Sequence, residues 1–257
     1  MRAASWKRRG RRSFTLVELL AVVAIIGILV GLITAAAYMA VGKAKRTRIS
    51  MEAKQLEMAC LAYRERFDEL PPDITNAAAL NRHLRRMFDQ WDGSTGLPAA
   101  FTAAGGSPAT ALVTFLGGPQ DANGRPIGYS PNPRNPFETV TTEGRIGPFF
   151  EFDPERLDGY RYYPPGVETT NPSGMYVYFR NENGDYSGKN WSGVVPLTDN
   201  RVAGSPWINP SSCQIICGGL DGVIGTGNDL RNGSNYSPER WDDQANFLEG
   251  TFEDARE

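Results

Sequence analysis

Glu18 is the one charged side chain in an apolar run extending from Ser13 to Val41. A carboxylate inside a bilayer costs several kcal/mol unless paired or protonated, so an acid placed there is a candidate functional group. A second group of acids lies near the C-terminus. Asp221 and Asp229 punctuate the glycine-rich stretch Cys213-Gln-Ile-Ile-Cys-Gly-Gly-Leu-Asp-Gly-Val-Ile-Gly-Thr-Gly-Asn-Asp229, and Asp242-Asp243-Gln-Ala-Asn-Phe247 follows. Brought close together, four such carboxylates repel. Around a hard cation that takes about six to eight oxygen ligands they become a binding set, with the glycines supplying tight turns. The spacing does not fit an EF-hand loop. The competing reading is an Asp-Gly turn with no metal.

Other chemistry is sparse. His83 is the single histidine, with no nucleophile or metal-ligand spacing around it, and it fits the apolar face of a helix. Gly225-Thr-Gly-Asn-Asp229 is neither a dinucleotide fingerprint nor a P-loop. The chain is therefore expected not to be an enzyme, a membrane-anchored enzyme or lectin-like domain being the least favoured class. The formal charge of the 257 residues is −2; residues 1–13 carry six Lys or Arg and no acid, so the remainder stands at −8. An acidic remainder argues against a general nucleic-acid surface.

The elements that would position these groups follow from periodicity. As helix, residues 14–41 rise about 42 Å, against a hydrocarbon core of about 30 Å. A secretory signal has an apolar region of only about 7–15 residues, so the run reads as a retained membrane helix. Arg8, Arg9, Arg11 and Arg12 precede it. The positive-inside rule then keeps residues 1–13 cytoplasmic and sends the rest across. Residues 43–70 continue the helix. Ile49, Leu56, Cys60, Tyr63, Phe67 and Leu70 form one apolar stripe, with charges including Glu52, Lys54 and Glu57 assigned to the other faces. Pro71-Pro72 stops it.

Beyond residue 71 the chain is expected to form a small head. A second helix is expected over residues 76–89, capped by Thr75 or Asn76, and a third over Ala109–Leu116. Strands are expected at Gly147–Phe152 and Met175–Arg180. The aromatics of the middle segment read as core and turn residues rather than carbohydrate contacts. If residues 213–217 form a strand, Cys213 and Cys217 share a face about 13 Å apart, too far for a disulfide. Cys60 reads as a small core residue.

Ser13-Phe14-Thr15-Leu16-Val17-Glu18 resembles the processing site of type IV prepilins and of type II secretion pseudopilins. The resemblance implies that a prepilin peptidase cuts between Ser13 and Phe14, that the new terminus is methylated, and that Glu18 meets the terminal amine of a neighbouring subunit. Ser13 departs from the family's usual Gly. The C-terminal stretch resembles the calcium loop of the major pseudopilin. That likeness assigns a Ca2+ ion to Asp221 and Asp243, with Asp229 and Asp242 as substitutes; an insertion over residues 230–241 separates the two halves.

The implied fold is α+β: a pilin-like lollipop whose long N-terminal helix packs on a small antiparallel β-sheet head. The implied organisation is a leader (1–13), an assembly helix (14–42), the soluble half of that helix (43–70) and a periplasmic head (71–257) with its C-terminal loop at 213–247. The implied partners are other pilin-like subunits, the prepilin peptidase, an inner-membrane assembly platform and the membrane itself, with no nucleic acid. The expected role is a structural subunit of a pseudopilus, the alternative being a type IV pilus for adhesion, motility or DNA uptake.

Overall fold

The structure is a computed structural model, and it describes residues 15–91, 93, 97–102, 104–199, 206–230 and 236–256. Processing residues Ser13 and Phe14 lie outside them. One helix, α1, runs from Leu16 to Phe67 without a break. The chain divides into two compact units, residues 1–44 and 45–257. In the first, every described residue of α1 except Gly42 is exposed, including Leu16, Leu29 and Ile33. This segment is long and apolar enough to cross a membrane.

In the second unit, the rest of α1 is a core element. Ile49, Ala53, Leu56, Cys60 and Tyr63 are completely buried, which is the stripe the spacing predicts. The helix stops at Phe67 because Asp68 adopts φ 60°, the left-handed region, ahead of Pro71-Pro72. A second helix, α2 (Ala77–Met87), begins as expected: the Asn76 side chain accepts from the Ala78 and Ala79 N–H groups at 2.9 and 3.1 Å.

Five short strands follow: β1 (Leu157–Asp158), β2 (Arg161–Tyr162), β3 (Val177–Arg180), β4 (Cys213–Cys217) and β5 (Gln244–Ala245). The first two pair with each other, and the last three form an antiparallel sheet in the order β3-β4-β5. Register sets Tyr178 opposite Ile215 and Ile216 opposite Ala245. Alternation divides the sheet between two cores. Tyr176, Tyr178, Cys213, Ile215 and Cys217 pack in the cluster containing the α1 stripe. Val177, Phe179, Ile216 and Ala245 pack in a second cluster with Tyr186, Leu197 and Phe252. The sheet is covered on both faces. The fold is α+β, a long N-terminal helix with a small antiparallel sheet domain.

Three local expectations need correction. Residues 147–152 form no strand, since Gly147 takes φ 77° and Pro148 has no N–H for a ladder; only a one-residue bridge, Tyr129 to Ile146, remains. The helix expected at 109–116 forms from Ala111 and takes π geometry over Val113–Gly117. Glu52, assigned to the outer face of α1, is buried. Its carboxylate accepts from Arg156 Nη1 at 2.8 Å and Nη2 at 2.5 Å, and from the Tyr162 and Tyr176 hydroxyls at 3.1 and 2.8 Å. A charge with that many donors can be buried where a lone one could not.

Candidate functional site

At the start of α1, Thr15 and Glu18 form a reciprocal pair. The Thr15 N–H donates to Glu18 Oε2 at 2.9 Å, the Thr15 hydroxyl donates to the same oxygen at 2.9 Å, and the Glu18 N–H donates to Thr15 Oγ1 at 3.3 Å. The Thr15 carbonyl accepts the first helical bond, from the Leu19 N–H at 3.2 Å. This is a capping box, with Thr15 as the N-cap and Glu18 three residues on. It places the carboxylate where the unpaired N–H groups and the helix dipole favour negative charge. The Thr-x-x-Glu spacing was legible in the sequence, but the acid was read only as an intermolecular group. All these bonds are local and within one turn. They hold the side chain at the helix end beside position 14, where cleavage would free an α-amine. The chemistry open to Glu18 is ion pairing with a cation delivered there.

The second candidate is the loop after β4. Close backbone approach explains two of its glycines: a Cβ on Gly219 would overlap the Asp242 carbonyl oxygen, and one on Gly225 would overlap the Arg240 backbone. The four acids do not share one site. Asp242 Oδ2 accepts from the Leu220 and Asp221 N–H groups at 3.1 and 3.4 Å, so Asp221 and Asp242 are neighbours. Burial, and next the Asp221 carboxylate, push the Asp242 carboxyl above the usual range. Asp221 Oδ1 is engaged by the Val223 N–H at 2.8 Å.

Asp243 points elsewhere. It is completely buried, and its Oδ2 accepts from Arg240 Nη1 and from the Gly225 N–H, both at 3.0 Å. Arg240 is also completely buried, with its guanidinium 4.8 Å from the Phe252 ring centre. Burial pushes the Asp243 carboxyl up, and the Arg240 charge opposes that shift. The backbone at Asp229 forms a bridge with Thr198. Among the described residues, no three His, Cys, Asp or Glu side chains converge as a metal-binding group. Asp221 and Asp242 suit an oxygen-only cation site. Asp243 is held by Arg240 through Oδ2 alone, and its Oδ1 is buried without a hydrogen-bond partner. Arg240 lies in the insertion, and nothing in its spacing marked it as the partner of Asp243.

His83 is a structural residue of the α2 core. Its Nδ1 lies 2.7 Å from Glu69 Oε2 and its Nε2 lies 2.9 Å from the Tyr63 hydroxyl. With neutral imidazole, Nδ1–H donates to Glu69 and Nε2 accepts from Tyr63.

Residues 8–34 match the family model described as the prokaryotic N-terminal methylation motif. No curated protein and no solved structure matches the chain. The matched segment includes the basic cluster, Ser13, Phe14, Thr15 and Glu18, and the first turns of the apolar helix. The chain thus carries the methylation motif of prokaryotic prepilin-like proteins at the head of a single helix able to span a membrane. That motif implies processing by a prepilin peptidase and supports a type IV pilin-like filament subunit.

Proposed function

We propose that this chain is a pseudopilin: a structural, non-catalytic subunit that polymerises from the inner membrane into a periplasmic pseudopilus serving type II protein secretion. The observation that carries the reading is Glu18, the only charge in the exposed apolar segment 16–41 of α1, held at its N-terminal turn inside the methylation motif. Cleavage between Ser13 and Phe14 creates a cation one residue before the cap. In a filament, the amine of one subunit meets the Glu18 carboxylate of the next. The exchange of local N–H and O–H donors for an ammonium strengthens the bond, since both partners are then charged. The apolar faces of residues 16–41 then pack against their counterparts in other subunits instead of lipid. Residues 1–13 stay cytoplasmic and the acidic head lies in the periplasm.

The glycine-rich loop favours the secretion class over a surface pilus. In this reading a Ca2+ ion sits on the Asp221–Asp242 side, with main-chain carbonyls completing its shell. It supplies the positive charge that lets these two carboxylates lie together, while Arg240 does the same for Asp243 inside the head. Deleting the gene should abolish export of folded proteins across the outer membrane and leave surface filaments intact. Loss of surface filaments with export unimpaired would overturn the pseudopilin assignment in favour of a pilus subunit.

A further inference from the structure

Cys213 lies too far along its strand from Cys217 to bond with it, but across the core it meets a different partner. Cys60, on the buried face of α1, and Cys213, the first residue of β4, are free thiols of the same core cluster, and after burial it is the neighbouring Cys213 that pushes the Cys60 thiol up. Neighbouring contacts hold this approach. Ser212 Oγ donates to Glu57 Oε1 at 2.8 Å, so the chain entering β4 is fastened one helical turn from Cys60. The same hydroxyl lies 3.8 Å from Cys213 Sγ. Tyr178 on β3 stands beside both thiols, its own hydroxyl fixed by the Pro71 carbonyl at 2.8 Å. Both cysteines are completely buried, in the same core cluster.

We propose that Cys60 and Cys213 form a disulfide that fastens α1 to the central strand of the sheet. The oxidant is an external disulfide of the thiol–disulfide oxidoreductase or glutathione class. One cysteine thiolate attacks a sulfur of that disulfide, forming a mixed disulfide and expelling one oxidant thiolate. The second cysteine loses its proton and attacks the mixed disulfide at the first cysteine's sulfur, releasing the other oxidant thiolate. The protein loses two electrons and two protons, and the oxidant becomes two thiols. Burial pushes the Cys60 thiol up, so the reaction belongs to the folding chain, before α1 is covered. A bond closing so long a stretch of chain constrains the unfolded ensemble strongly. It also carries any pull on α1 directly into β4. Cys217 is left as a lone buried thiol, 3.8 Å from the Gln244 carbonyl.

An oxidising compartment is part of the export reading above; the pairing itself is not. The test therefore supplies its own oxidant. Full-length chain, reduced and denatured, is refolded into detergent micelles in a glutathione redox buffer, then denatured, alkylated and digested without reduction. The expected result is a Cys60–Cys213 linked peptide that vanishes on reduction, with Cys217 alone alkylated. Cys213→Ser should leave both Cys60 and Cys217 alkylated. Three alkylated cysteines in the refolded wild-type chain, or a link to Cys217, would overturn the proposal. The same digest of protein taken from membranes reads the compartment: a link that forms in glutathione but is missing there supports the pairing and contradicts export.

Discussion

Glu18 and Glu52 lie on the same helix, and the molecule treats them in opposite ways. Glu52 is enclosed by the head and receives four hydrogen bonds, from Arg156, Tyr162 and Tyr176. Every partner comes from far along the sequence, so its carboxylate is committed to holding α1 against the head. Glu18 receives bonds from Thr15, in a stretch where the apolar side chains are exposed. An acid satisfied only by its own helix turn can exchange partners without unfolding anything. The difference separates a residue that builds the subunit from one that, in the proposed filament, serves assembly.

Substitution at Glu18 should give the largest effect on that contrast. Glu18→Ala removes both the cap and the charge, and filament assembly should be lost while thermal unfolding of the head stays unchanged. Glu18→Gln keeps a side chain able to complete the capping box but cannot pair with an ammonium. It should insert and fold like the wild type and still fail to assemble, as seen by cross-linking of membrane fractions. Normal assembly by the Gln variant would reduce Glu18 to a cap. Glu52→Ala should show the reverse. Removing the Glu52 carboxylate takes away the acceptor shared by the half-buried Arg156 and by Tyr162 and Tyr176, and is expected to lower stability by about 2 kcal/mol in denaturant unfolding. No change would mean that α1 is held by its apolar stripe alone.

Acid should act on the head through Glu69 and His83. The His83 hydrogen bond, with Arg180 assisting, lowers the Glu69 carboxyl to about 2. Burial lowers His83 below its ordinary value. In both cases the unfolded chain takes up the proton first, so the stabilisation is lost as pH falls: below about 6.5 for His83, and from about 4.3 towards 2 for Glu69. The melting temperature should therefore fall on acidification, and His83→Phe should flatten the upper part of that slope. An equal slope in the variant would remove His83 from the explanation. The smallest effect is expected from calcium. Millimolar Ca2+ should raise the melting temperature modestly by mass action, and Asp221→Ala should abolish the gain. A melting curve indifferent to calcium would favour the metal-free turn.

The elements governed by short-range patterns were legible in the sequence. The α1 stripe, the Asn76 cap and the strand at 177–180 all follow from spacing and residue type. The groups decided by distant partners were not. Glu52 looks like any surface acid on its helix, because Arg156 and the two tyrosines arrive only on folding. The same holds for Cys60 and Cys213, which meet across the core, and for Arg240, which claims Asp243. Glu18 stands out in the sequence because its surroundings are themselves written in the local sequence, yet the Thr15 cap beside it was overlooked.

The most direct measurement is mass spectrometry of the protein extracted from membranes of its own cells. A mature chain beginning at methylated Phe14 is expected, since only that terminus brings a cation within reach of Glu18 in an adjoining subunit. A chain that still carries residues 1–13 in assembled material would contradict it.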